Sequence, residues 1–173
     1  RTGIRERRIA APGETCCSMS LASARKALEV AQLAPQDVEL IIVATSSPDY
    51  LVPSVASMIQ DRLGAGRAPA FSLQAGCTGW VYALVTACQF IQSGAYRNVL
   101  VIGTEHLSMG IDWTDRTTCV LFGDGSGSVV LEASDQPTGL LSFDLGSDGA
   151  DYDALMVPGC GGVHPASQEV LDQ

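Results

Sequence analysis

Between Arg67 and Arg97 the chain carries no Asp, Glu, Lys, Arg or His. A stretch of that length without charge has to be enclosed, either by lipid or by protein. Gly76, Gly79, Gln89 and Gln92 interrupt it, and no run approaches the ~18 apolar residues that a membrane span requires. Protein is therefore expected to enclose it. Within the stretch, residues 77–93 read as a helix ended by Gly94. Trp80, Val81, Tyr82, Ala83, Leu84, Val85, Ala87, Phe90 and Ile91 cover most of its circumference. A helix that is apolar all round is buried all round. One sheet covers only one side, so a second layer is required, from further polypeptide or from a partner chain.

The flanking sequence supplies the first layer. Residues 18–33 read as an amphipathic helix, with Met19, Ala22, Ala27, Leu28 and Val30 inward and Arg25, Lys26 and Glu29 outward, closed by Pro35. Residues 54–63 read as a second helix, with Ser54 as N-cap and Gly64 just past the end. Strands are expected at 38–45 (VELIIVAT), 70–74, 98–104 (NVLVIGT) and 128–132, with 139–145 continuing the sheet as a fifth. Continuous apolar strands alternating with helices predict an α/β fold, a mainly parallel five-stranded sheet covered on both faces.

The chain of 173 residues is long enough for one substantial core, burying roughly 70% of its unfolded surface. It begins with Arg and stops in a polar run, and reads as a piece of a longer polypeptide. A charged start with no apolar segment after it is not a signal peptide; a cytoplasmic protein with no membrane contact is expected. A net charge of −9 argues against nucleic acid as a partner. Arg1, Arg5, Arg7 and Arg8 nonetheless crowd the N-terminus, either as a solvated cluster or as a local anion site. The six cysteines show no C-x-x-C spacing. Cys77 and Cys88, eleven residues apart on one helix, would lie about 16 Å apart, beyond the roughly 7 Å a disulfide allows. Free thiols, no zinc site and no other metal are expected.

Three stretches could carry chemistry. Cys77 sits between Gly76 and Gly79 where strand gives way to helix. Helix-start amides there favour thiolate and can hold an oxyanion, and the bare glycines admit a carbonyl. The other reading is a small, inert residue at a tight corner. The run FGDGSGS at 122–128 resembles a phosphate loop but precedes a strand and lacks a following Gly-Lys, so a turn with glycines at positive φ accounts for it better. Arg116, in TDRTT, is either a surface ion-pair partner or a phosphate contact.

Together, RTGIRERRIA at the start, GCTGWVYAL around Cys77, DWTDRTTCVLFGDGSG from 112 and GSDG at 146–149 resemble, in order and spacing, the β-ketoacyl-acyl carrier protein synthase III family. The resemblance implies a thiolase-like αβαβα fold of which residues 1–173 supply one αβα half, with a buried central helix, in a homodimer. It implies that Cys77 takes an acyl group from acyl-CoA and that malonyl-acyl carrier protein then condenses with it. No cofactor is implied, the CoA thioester being a substrate. Arg1 and Arg116 match positions contacting the nucleotide end of CoA; Thr2, Leu121 and Phe122 match positions near the entry tunnel. Val52 matches a position on a loop reaching the partner's acyl pocket, where a large aromatic is common, which implies primers larger than acetyl. The family's catalytic His and Asn lie outside this chain; neither His106 nor His164 matches them, so these residues alone are expected to acylate poorly and not to condense. Gly76 and Trp80 replace the commoner alanine and phenylalanine. The same fold serves polyketide and alkylquinolone-type synthases and acyltransferases, and a non-catalytic acyl-binding subunit is a further alternative.

Overall fold

A computed structural model describes residues 2–171. Residues Arg1–Phe143 form one compact unit and Asp144–Gln173 a second. The first is built on a four-stranded sheet in the order β2-β1-β3-β4, with β1 Ile41–Ala44, β2 Ala70–Leu73, β3 Asn98–His106 and β4 Asp124–Glu132. β1 runs parallel to both β2 and β3, while β4 returns antiparallel along the whole of β3. Helices α1 (Cys16–Ala31), α2 (Val55–Leu63) and α3 (Gly79–Gln92) complete it. The second unit carries one short helix, α4 (Gln168–Leu171), in otherwise irregular chain.

Successive strand residues point to opposite faces, and β1 and β3 show it directly. Ile41, Val43, Leu100 and Ile102 pack with α1 and α2, whereas Ile42, Ala44, Val99 and Val101 pack with α3. All four residues of β1 are buried, because both faces are covered. That is why VELIIVAT is continuously apolar.

Local signals set the helix ends. Thr15 and Ser18 form a capping box at the start of α1, each side chain accepting from the other's backbone N–H. Ser54 caps α2, and Gly64 ends it at φ 78°. The inward face of α1 differs from the expected one. Cys17, Leu21, Ala24 and Leu28 form the core stripe, while Ala22 is exposed and Val30 is 86% exposed. The small residues Cys17 and Ala24 let the helix lie close to the sheet, and Val30 belongs to the opposite side of the turn.

Two strand expectations change. The run at 122–128 is not a turn: from Asp124 it is β4, and none of Gly123, Gly125 and Gly127 has positive φ. Gly127 pairs with Gly103, and Gly125 with Glu105, so the glycines are strand residues with one bare face. The expected fifth strand at 139–145 is irregular chain, with Leu141 90% exposed. A strand needs a neighbour for its N–H and C=O groups, and β4 is paired only with β3. Helix α3 covers one sheet face through Ala83 and Ala87, while Val81 on its other side is exposed. Val85, one turn on from Val81, is nonetheless buried, so within this chain the central helix is covered on the sheet side and in part on the other.

Asp124 ties the N-terminal segment to β4. One carboxylate oxygen accepts from the Ala10 N–H (2.7 Å) and the Ser108 hydroxyl (2.6 Å), and the other accepts from the Ser108 N–H (2.9 Å). Burial pushes its pKa up, but these bonds outweigh burial and hold it below the usual carboxylate value. A depressed folded-state pKa contributes stability that is complete above the unfolded value, near about 3.9, and is lost as pH falls through the folded value. The stability gap between wild type and Asp124→Asn, measured by urea unfolding, is expected to be constant from pH 5 to 7 and to narrow below about pH 4. A gap that stays constant as the pH falls below about 4 would contradict the assignment.

Candidate active site

Cys77 lies in a single 3-10 turn, Gly76–Thr78, between β2 and α3. The helix therefore starts two residues later than expected, at Gly79. Gly76 makes the corner at φ 54°, a conformation that side chains disfavour. The Thr78 hydroxyl donates to Ala75 O (2.9 Å), and no side chain caps the α3 N-terminus. The Gly79 N–H donates to Gly76 O, so the 3-10 turn that carries the thiol runs directly into α3. Gly79 is buried against the sheet, where an added Cβ would make an ordinary contact with the Ala44 Cβ at 3.5 Å.

The Cys77 residue is exposed and lines an open cavity of about 290 Å³. The opposite wall comes from the sheet, through Gly103 on β3 and Gly125 and Gly127 on β4. Trp80, Thr104, Glu105 and Ser126 complete the lining. The bare glycine faces make the room. At Gly103 it is already taken by Trp80, whose Cε3 would lie 2.9 Å from an added Cβ. Glu105 braces the rim, accepting from the Ser46 N–H (2.8 Å) and from the Ser47 hydroxyl, and Ser47 Oγ in turn accepts from the His106 N–H (2.7 Å).

The other thiols differ. All six cysteines are free, and Cys16, Cys17 and Cys119 are buried. Burial pushes the Cys16, Cys17 and Cys88 thiols up, toward the neutral, unreactive form. Cys77 and Cys160 are exposed, and of these Cys77 has the cavity and the helix start.

The other residues singled out from sequence fall into separate regions. Thr2 is exposed, its hydroxyl accepting from the Ile4 N–H at 3.3 Å, and Arg1 lies outside the described residues. Arg116 is exposed in a loop of two successive turns. Asp112 accepts from the Thr114 N–H and hydroxyl, and Asp115 from Thr117 and Thr118. The threonine hydroxyls, with the backbone N–H groups, hold both carboxyls below their usual range. Leu121 is exposed and Phe122 half-buried, just before β4. Val52 is 85% exposed with Tyr50 and Leu51 on the loop before α2, apart from the Cys77 cavity lining. The N-terminal arginines divide: Arg8 pairs with Glu6 at 3.0 Å, while Arg7 donates to the carbonyls of Phe122 and Cys119. Sequence reasoning passed over Glu105 and the role of the glycines. The alternation G-x-G in 123–127 was the available signal, since it describes a strand with one bare face.

Comparison with known proteins agrees with this geometry. Residues 71–149 match the family model described as 3-oxoacyl-[acyl-carrier-protein (ACP)] synthase III. A β-ketoacyl-[acyl-carrier-protein] synthase III of Desulfitobacterium hafniense is 50% identical over 171 residues, 99% of this chain and 52% of that protein. The crystal structure of 3-oxoacyl-[acyl-carrier-protein] synthase III from Aquifex aeolicus superposes with a TM-score of 0.77 at 50% identity, over 79% of this chain and 44% of that one. A priming β-ketosynthase from the R1128 polyketide pathway also superposes at 0.77, with 43% identity over 79% of this chain and 41% of that one. The chain spans about half the length of the curated relatives it matches. No helix among the described residues is long and apolar enough to cross a membrane.

Proposed function

This chain belongs to the 3-oxoacyl-[acyl-carrier-protein] synthase III family and supplies one αβα half of its thiolase-like fold, and from that premise we propose that Cys77 accepts an acyl group from acyl-CoA and hands it to malonyl-acyl carrier protein. The observation that carries this reading is the exposed thiol at an uncapped helix start, facing a cavity floored by glycines.

The chemistry follows from that placement. The Cys77 thiolate attacks the thioester carbonyl, backbone N–H groups at the corner stabilise the oxyanion, and CoA departs as its thiol with a proton. Malonyl-carrier protein then loses carbon dioxide, and its carbanion attacks the acyl-cysteine. A carbon–carbon bond forms, the carbon–sulfur bond breaks, and the thiolate is regenerated as the 3-oxoacyl-carrier protein leaves. The groups that promote decarboxylation belong to the remaining half of the family's fold. Arg1 and Arg116 hold the nucleotide end of CoA, with Thr2, Leu121 and Phe122 near the entry.

Two unfinished surfaces support a homodimer with a second layer. β2 is an edge strand in the uncharged stretch, with Phe71 and Leu73 only half-buried, and α3 leaves Val81 exposed. Unpaired, uncharged edges are a template for pairing with another chain. Free thiols fit a reducing cytoplasm.

Product analysis tests the reaction: acyl-CoA plus malonyl-carrier protein yields 3-oxoacyl-carrier protein and carbon dioxide with the full polypeptide. The likeness to a priming ketosynthase favours a second reading, the same reaction on a polyketide carrier protein. Comparing turnover on fatty-acid and polyketide carrier proteins separates the two, and binding of acyl-CoA without any turnover would indicate a non-catalytic subunit.

Val52 sets primer size across the dimer. Wild type is expected to use four- to six-carbon acyl-CoAs well, and Val52→Phe to shift the kcat/KM ratio toward acetyl-CoA by about tenfold. A strict acetyl preference in wild type would refute this.

A further inference from the structure

We propose that Arg7 is a positioning residue that builds the CoA-binding edge by clamping the N-terminal segment to the loop carrying Arg116, Leu121 and Phe122. The proposal rests on the reading of acyl-CoA as first substrate. It starts from a feature which that reading leaves unused: a half-buried arginine whose guanidinium faces backbone carbonyls instead of solvent or a carboxylate.

The clamp has contacts on both sides. Arg7 Nε donates to Phe122 O at 2.8 Å and Nη2 donates to Cys119 O at 3.1 Å. One planar fork thus fixes two carbonyls three residues apart, which a lysine's single ammonium cannot reproduce. The Asp124 N–H donates to Arg8 O at 2.7 Å, so the two segments also touch through backbone. Gly123 makes this approach possible: a Cβ there would stand 2.9 Å from Arg8 O and 3.3 Å from Arg7 Cβ.

The loop on the far side is closed upon itself before Arg7 grips it. The Cys119 N–H donates to Asp115 O at 3.0 Å and the Leu121 N–H to Thr118 O at 2.9 Å. Arg116 lies inside the first of these turns. Holding Cys119 O therefore fixes the end of the turn that carries Arg116, and holding Phe122 O fixes the residues beyond it. The same guanidinium anchors the segment that carries Thr2. None of these residues lines the Cys77 cavity, so the clamp acts on binding of the nucleotide end.

Steady-state kinetics on the full polypeptide test this with Arg7→Ala, Arg7→Lys and Gly123→Ala. Arg7→Ala and Gly123→Ala, changes on opposite sides of the contact, are each expected to raise KM for acyl-CoA about tenfold, with kcat and KM for malonyl-carrier protein within about twofold. Arg7→Lys should fall between Arg7→Ala and wild type, and gives a readable result if a harsher variant fails to fold. An unchanged KM for acyl-CoA, or equal losses on both substrates and on kcat, would overturn the clamp. Wild type failing to transfer an acyl group from CoA at all would instead bring down the functional reading beneath it.

Discussion

Condensation by Cys77→Ala is expected to fall by at least about 10³-fold, because the acyl-enzyme route needs a nucleophile whose loss no neighbour repairs. Among the described thiols, Cys16 and Cys17 are buried on the α1 side of the sheet, and Cys88 lies further along α3. Cys77→Ser is expected to behave almost as badly, since a hydroxyl at the same corner is far less ionised than a thiol. Binding of acyl-CoA should survive both changes, the residues assigned to CoA lying on other loops. The check is rate of product formation beside equilibrium binding of acyl-CoA. Loss of rate with retained binding fits a nucleophile, and equal loss of both indicates damage to the site as a whole.

The second large effect is structural. Gly103→Val places a branched side chain where even a Cβ would stand 2.9 Å from the Trp80 ring. Either the ring swings into the cavity or β3 shifts against β1 and β4. Overpacking of this kind costs about 3 kcal/mol at the upper end of its usual range. A lower urea midpoint and slower uptake of acyl groups at Cys77 are both expected, the first from strain and the second from a filled cavity. Wild-type stability together with wild-type acylation would show that the glycine floor is incidental.

Residues whose environment is made locally or on two covered faces were legible in the sequence. The buried β1 betrays itself by unbroken Ile-Ile-Val-Ala, and α2 by Ser54 and Gly64 at its ends. Cys77 was legible because glycines bracket it at a change of periodicity. The rest depends on pairing between distant segments. Gly125 and Gly127 have poor strand propensity, and only their ladder with Glu105 and Gly103 makes them strand. The register of α1 was misjudged because Cys17 and Ala24, small and unremarkable in sequence, carry the contact while Val30 faces solvent. Residues 139–145 alternate like a strand, yet no neighbouring edge receives them. Arg7 looked like one more member of a charged cluster, and only the fold brings Cys119 and Phe122 to it.

The most direct measurement is peptide-level mass spectrometry of the full polypeptide after brief incubation with acyl-CoA and no malonyl substrate. The expected result is one acyl group, on the sulfur of Cys77, removed when malonyl-carrier protein is added. An acyl group on any other residue, or none while acyl-CoA remains bound, would contradict the assignment of Cys77 as the group that carries the reaction.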